Sequence, residues 1–333
     1  MLCVGVDLGG TNLRAALVDV GTGQVVSDVR VPTLAAEGPP AVIERMATLI
    51  SRAISEPGQS RQSVAAIGIG VPGLYDPSTN VVRFLPNLPT TWLNVPLGRS
   101  IEASVGLPTT LVNDSRAFIL AEATFGAGRG GDTVVGMTVG TGIGGGAVIG
   151  GRLHLGLEGT AGEVGHSTVE PNGFLCGCGN RGCLEAYASG PAIATLGVRA
   201  IRQGRTTILR DLVENDLNQV SPEVIVRAAD LGDAIAQQIL DEAGGYLGIG
   251  VSNLITLFSP DAVIVGGGVA EAGEWVLRPI RAMVQRRCRV TPIDRITIAK
   301  ASLAGEAGVI GAAVWAGQRL AQPSKRQIDR VQP

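Results

Sequence analysis

Lysine is almost absent from this chain of 333 residues: Lys300 and Lys325 are the only two, and arginine supplies the rest of its 27 basic residues. A phosphate loop ending in Gly-Lys-Ser/Thr, and the strand lysine of a protein kinase, each need a lysine at a fixed place near a glycine-rich turn. Neither lysine lies near such a turn, so both nucleotide-binding classes are excluded. No run of about 18 uninterrupted apolar residues occurs, and the 45% hydrophobic content is diluted by 48 glycines, so no transmembrane helix is read. The opening MLCVGVDLGG lacks a basic stretch, a long apolar core and a small-residue cleavage site, and no signal peptide is expected. Nor is there a basic block. The formal charge of −2 is spread along the chain, so nucleic acid is not an expected partner.

Histidine is as scarce as lysine, with His154 and His166 only, and cysteine is concentrated rather than common. Cys176, Cys178 and Cys183 fall within eight positions while Cys3 and Cys288 stand alone, which suits a metal site better than a disulfide framework. A reducing, cytoplasmic location is expected.

What the sequence does have is glycine between β-rich runs. Residues 2–7, 12–20 and 24–32 read as strands, 40–55 as a helix and 64–71 as a buried strand ending at Pro72-Gly73. The Pro/Asn-rich stretch from there to about 108 reads as loop, followed by a short strand at 109–112 and a helix from about 115 to 125. The stretch 133–155 repeats the opening grammar of strand, glycine turn and returning strand, which points to structural duplication. Residues 191–258 read as mostly helical. A strand at 261–265 leads through Gly266-Gly267-Gly268 to a helix ending near 287, then come a strand at 296–299 and a last helix from about 306.

Asp7-Leu8-Gly9-Gly10-Thr11-Asn12 sits between two strands, where backbone N–H groups can approach phosphate oxygens and Thr11 adds a hydroxyl donor. Asp7 can hold a magnesium ion, directly or through water. A single loop of this kind is equally well a hairpin turn that needs positive φ. Gly140-Thr141-Gly142-Ile143-Gly144-Gly145-Gly146 has the same setting, so the two loops can clamp one polyphosphate. Its G-x-G-x-x-G pattern fails as a dinucleotide fingerprint because a strand, not a helix, follows. Gly267 and Gly268 are either a plain turn or a flat backbone seat for an adenine ring or ribose.

Asn113-Asp114-Ser115 falls where a strand meets a helix and reads either as helix capping or as a catalytic position. Phosphoryl transfer to an alcohol needs a carboxylate to take the hydroxyl proton, and Asp114 is mounted for it, with Asn113 beside a neighbouring hydroxyl. His166, Cys176, Cys178 and Cys183 supply the four N/S donors of a closed tetrahedral zinc site. His154 is the less favoured ligand. Zinc on one imidazole nitrogen leaves the other free to donate to a substrate, and the knot fixes Glu163 and Glu185 near it. Carboxylates and an imidazole converging this way suit a polyol with adjacent hydroxyls, and metal loss is expected to weaken its binding before it reaches the nucleotide.

The motifs DLGGTN at 7–12, GVPG at 70–73, PNLP at 86–89, VND at 112–114, GTGIGGG at 140–146, EVGH at 163–166 and CGCGNRGCLE at 176–185 resemble those of the ROK family of sugar kinases and repressors. The resemblance runs nearly end to end. It implies an α/β, two-lobed actin-like ATPase (ribonuclease H-like) fold, duplicated, with a cleft between the lobes. The small lobe is expected at 1–114, completed by a C-terminal helix at 306–320, and the large lobe at 115–305 with the zinc knot at 163–185. The resemblance also implies an ATP-dependent kinase acting on a hexose 6-hydroxyl, with glucose the first choice and N-acetylmannosamine, N-acetylglucosamine, mannose and fructose as alternatives. Asp114 is then the base, and Mg-ATP lies on Asp7, Gly9, Gly10, Thr11, Asn12, Gly140, Thr141, Gly142, Gly144, Gly267 and Gly268. The sugar meets Gly73, Asn87, Asn113, Asp114, Glu163, His166 and Glu185, and structural zinc binds His166 and the three cysteines. Many relatives have lysine where this chain has Asn12, so only backbone contacts are expected there. Family repressors carry a helix-turn-helix before the first glycine loop, which here begins at residue 7, so the repressor class is disfavoured. No lysine/arginine cluster beside the loops favours polyphosphate as donor. A homo-oligomer, dimer or tetramer, is expected.

Overall fold

A computed structural model of the chain describes residues 1–55, 63–86 and 88–321. Two compact units divide it: the first takes Met1–Phe125, Leu155–Thr160 and the chain from Gly305 on, the second takes Gly126–His154 and Ala161–Ala304.

The first unit runs β1 (Leu2–Leu8), β2 (Asn12–Asp19), β3 (Gln24–Pro32), α1 (Pro39–Ile54), β4 (Val64–Val71), β5 (Leu74–Asp76), β6 (Val81–Phe84), α2 (Leu97–Val105), β7 (Thr109–Asn113) and α3 (Asp114–Thr124). Its sheet has the order β3-β2-β1-β4-β7. The β1-β2-β3 meander is antiparallel, whereas β4 and β7 add parallel to β1. The second unit contains β8 (Thr133–Val139), β9 (Ile143–Ile149), β10 (Arg152–Leu153), α4 (Glu185–Ala188), α5 (Gly190–Arg202), α6 (Leu209–Leu212), α7 (Pro222–Asp230), α8 (Ala234–Phe258), β11 (Ala262–Gly266), α9 (Glu274–Arg287) and β12 (Thr297–Lys300). Its order, β10-β9-β8-β11-β12, reproduces the first sheet strand for strand, with β8, β11 and β12 parallel. Two copies of a hairpin-led, partly parallel sheet are the duplicated α/β plan of the actin-like ATPase fold.

The elements follow from local chemistry. β4, VAAIGIGV, is apolar along its length because both faces of an inner parallel strand are covered. Helix α1 starts on two prolines and buries Val42, Met46, Leu49, Ile50 and Ala53, one face at helical spacing. The last helix, α10 (Ala307–Ala321), packs on the first sheet. A Cβ on Gly5 or Gly68 would stand 1.8 Å from the carbonyl oxygen of Val309 or Ala312, so only glycine lets this helix lie so close to β1 and β4.

Three segments differ from the sequence reading. The stretch read as loop up to 108 contains the β5–β6 hairpin and α2, whose Leu97, Ile101 and Val105 form a short buried stripe behind Pro96. Of GTGIGGG only residues 140–142 turn, since Ile143 already begins β9. After Gly266 the chain makes a single 3-10 turn over Gly268–Ala272 before α9 begins at Glu274. Among the described residues no helix is long and apolar enough to cross a membrane.

Candidate active site and metal centre

In the first unit the carboxyl ends of β1, β4 and β7 meet on one edge. Asp7 aligns with Gly70, and Gly70 with Val112, two residues before Asp114. Ligands of open α/β sheets collect at such edges. Asp114 is the first residue of α3, and its Oδ1 accepts the Ser115 N–H at 2.7 Å and the Ser115 hydroxyl at 3.3 Å. Burial pushes its carboxyl up to about 6, the Ser115 N–H opposing the rise and the Asp7 charge adding to it. Burial raises Asp7 as well, against the charges of Arg14 and Arg30. Arg14 is the cross-strand partner of Asp7. It is fixed by a two-pronged pair with Asp28 at 2.7 and 2.8 Å and by a bond to the Gly305 carbonyl. The start of α10 also comes close, since a Cβ on Gly308 would lie 3.0 Å from Asp7 Oδ2.

Helix capping falls to Asn113 rather than to Asp114. The Asn113 Oδ1 accepts the Arg116 N–H at 3.2 Å, while its Nδ2 donates to the Gly73 carbonyl at 3.4 Å. Those two predicted residues are thus brought together, and Gly73 has a positive φ of 157°. Asn87 lies outside the described residues.

The first glycine loop is closed by the Gly9 N–H donating to the Asn12 carbonyl at 3.0 Å, leaving Gly10, Thr11 and Asn12 exposed. Thr33 holds it from beneath. The Thr33 hydroxyl donates to the Gly9 carbonyl at 2.7 Å, its N–H donates to the Thr11 carbonyl at 2.8 Å, and Arg45 of α1 donates to the Thr33 carbonyl at 2.8 Å. The sequence reading missed Thr33 and Arg45, because a threonine after a strand and an arginine on a helix carry no local signal.

In the second unit the Gly140 N–H donates to the Gly142 carbonyl at 2.9 Å, and the Gly190 N–H donates to the Gly140 carbonyl at 2.8 Å. Thr141 is exposed at the tip, while Gly144 lies inside β9 opposite Thr138. Gly267 follows β11 with φ 85°, and Gly268 opens the 3-10 turn. Gly268 lines a pocket of about 290 Å³ whose walls include Pro222, Val226, Leu240, Val269 and Ala272.

The metal-ligand group is assembled as the spacing required. One donor atom each from His166, Cys176, Cys178 and Cys183 lies within 4.8 Å of every other. The Cys178 and Cys183 sulfurs are 3.7 Å apart, and Cys176 Sγ is 3.7 Å from His166 Nδ1. A tetrahedral ion with Zn–S bonds of about 2.3 Å would space its sulfurs by about 3.8 Å. The donors therefore fit such an ion, and Nε2 is the imidazole nitrogen left over. His154 is not in the group. Glu185 reaches both ways, its Oε1 3.9 Å from Cys176 Sγ and its Oε2 accepting the Ile143 N–H at 2.8 Å. Glu163 is exposed, and its carbonyl accepts the His166 N–H at 3.1 Å.

Known proteins match this arrangement over almost its whole length. The model of the ROK family covers residues 3–319. A glucokinase of Thermotoga maritima is 38% identical, with 95% of this chain and 98% of the relative covered. The crystal structure of a ROK family glucokinase from Streptomyces griseus, in complex with glucose and AMPPNP, superposes with a TM-score of 0.80 at 36% identity, covering 96% of this chain and 100% of that one. The xylose repressor of Caldicellulosiruptor bescii is 30% identical over 92% of this chain and 76% of its own length. By its duplicated fold, its motifs and these matches, the chain belongs to the ROK family.

Proposed function

We propose that the chain is an ATP-dependent kinase that phosphorylates the 6-hydroxyl of a hexose, glucose first, with Asp114 as general base. The observation that carries this reading is the Asp114 carboxyl, held at the edge where three parallel strands end and raised to about 6, poised to take a proton near neutral pH. As the sugar oxygen attacks the γ-phosphorus, its proton passes to Asp114, the new P–O bond forms, the bond to the β-phosphate oxygen breaks and ADP leaves.

The remaining residues take supporting roles. Gly10, Thr11 and Asn12, together with Thr141 and Gly142, are assigned to the phosphates through backbone N–H groups and the threonine hydroxyls, while the Gly9 and Gly140 N–H groups close their loops and Gly144 supports the second loop from within β9. The pocket lined by Gly268, next to Gly267, is assigned to the adenosine part of the nucleotide, with apolar walls at Val226, Leu240 and Val269 for the ring and the charged Glu223, Arg227, Asp230 and Glu271 around them. Asp7 would hold Mg²⁺ directly or through water, and the ion would neutralise phosphate charge. His166, Cys176, Cys178 and Cys183 would hold structural zinc. On the acceptor side, His166 Nε2 would donate to one sugar hydroxyl, while Asn113, Glu163, Glu185, the Gly73 backbone and Asn87 meet the others. Unpaired cysteines throughout fit a reducing, cytoplasmic setting, and a dimer or tetramer belongs to the same reading.

A coupled ADP-release screen with Mg-ATP across glucose, mannose, fructose, N-acetylglucosamine and N-acetylmannosamine tests the proposal. The highest kcat/KM is expected for glucose, and silence with every sugar would overturn the kinase reading. Thr33→Val tests the footing of the first loop. It keeps the side-chain shape but removes the hydroxyl that holds the Gly9 carbonyl, so KM for ATP should rise about 2- to 10-fold, with KM for sugar unchanged. An equal rise in both constants would show that Thr33 serves the fold at large.

A further inference from the structure

We infer that Glu185 is a positioning residue through which the Cys/His knot holds the second glycine loop, so that metal loss reaches nucleotide binding and not the sugar alone. The inference rests on reading Gly140–Gly142 as a phosphate-binding loop.

The grip falls on one peptide. The Ile143 N–H, where the loop enters β9, donates to Glu185 Oε2 at 2.8 Å. The Ile143 carbonyl faces Gly165, where a Cβ would stand only 2.0 Å from the oxygen. Glu185 follows Cys183 by two residues, and Gly165 immediately precedes His166. The Ile143 N–H is therefore bonded by a residue two positions from one candidate ligand, and its carbonyl packs against the residue that adjoins another. The loop itself leaves no space beside the carboxylate, since a Cβ on Gly142 would lie 2.5 Å from Glu185 Oε2. Five residues further on, the Gly190 N–H fixes the Gly140 carbonyl at 2.8 Å. The other Glu185 oxygen, 3.9 Å from Cys176 Sγ, faces the knot. A loop whose backbone donors must point at phosphate oxygens depends on such fixed footings. When the knot loosens, Glu185 and Gly165 shift together and the loop loses its shape. The expectation that sugar binding fails before nucleotide binding is thereby replaced by one in which both weaken.

The test titrates Mg-ADP, without sugar, into the full chain by calorimetry, with zinc content measured on every sample. Wild type carrying zinc is expected to bind. Glu185→Ala with its zinc intact should bind ADP about tenfold more weakly, the expected effect of losing a charge-assisted hydrogen bond. Its amides over 140–143 should also exchange faster with deuterium. Glu185→Gln keeps an acceptor oxygen for the Ile143 N–H and should stay within about twofold of wild type for ADP. Chelator-stripped wild type should follow the alanine variant. Wild-type affinity and exchange in both the alanine variant and the stripped protein would overturn the inference, as would a glutamine variant as weak as the alanine one. Failure of zinc-loaded wild type to bind Mg-ADP at all would instead remove the nucleotide reading beneath it.

Discussion

Asp114→Asn is expected to lower kcat by about 10²- to 10⁴-fold, the range over which a positioned general base contributes, while the protein folds as before. Asparagine preserves size, and its carbonyl oxygen can still accept the Ser115 N–H now bonded to Oδ1 at 2.7 Å. Only the proton acceptor is lost. The pH profile provides a second readout. Wild-type kcat/KM should fall on the acid side with a midpoint near the raised carboxyl value of about 6, because the protonated acid cannot act as base. In the variant that limb should vanish. Stability gives the third. A carboxyl whose folded value lies above its ordinary range contributes stability at low pH that is lost as pH rises through about 6. At pH 7.5 the ionised Asp114 is thus a burden on the fold, and Asp114→Asn should melt at or above the wild-type temperature. Near-wild-type turnover would remove Asp114 from the role of base, and a marked fall in melting temperature would show that the variant's kinetic loss comes from the fold.

The parts of this molecule that were legible in the sequence are those where chemistry leaves a local mark. Strand, glycine turn and returning strand occur twice, and both five-stranded sheets follow from them. The donor set is legible because histidine is so scarce and three cysteines are crowded together, and the structure gathers those four residues. Legibility ends where one segment's role is decided by another. Helix α2 is hidden because its buried apolar side chains, Leu97, Ile101 and Val105, follow a proline-rich stretch and gain their stripe only against the core. Gly145 looks like loop but pairs with Met137 inside β9, and it is glycine because a Cβ there would stand 2.8 Å from the Gly162 carbonyl and from Val164. Thr33, Arg45 and Gly190 hold the glycine loops by hydrogen bonds across at least 12 positions of sequence, and their residue types do not announce it. Glu185 was legible as part of the knot, but its bond to Ile143, 42 positions away, was not.

Cys178→Ser carries the second large effect. The residue is exposed, so the exchange of sulfur for oxygen removes no core packing, yet its sulfur stands 3.7 Å from that of buried Cys183. If the four donors hold zinc, one ligand is replaced by a hydroxyl that binds the ion poorly at neutral pH. Structural zinc sites of this kind contribute about 10–16 kcal/mol to folding in isolated peptides. Losing one ligand should therefore remove several kcal/mol from the second unit and lower its melting temperature by about 10 °C or more. Zinc measured after passage over a chelating resin should fall in parallel, and chelator treatment of wild type should reproduce the same melting curve. Cys288→Ala serves as the control, because Cys288 is buried but lies outside the donor group. That variant should lose stability through packing while retaining its zinc. Full zinc and an unchanged melting temperature in Cys178→Ser would remove Cys178 from the ligand set, whereas a wild-type protein that carries no zinc would show that the four donors converge for another reason, and the footing they give to Glu185 would then owe nothing to a metal.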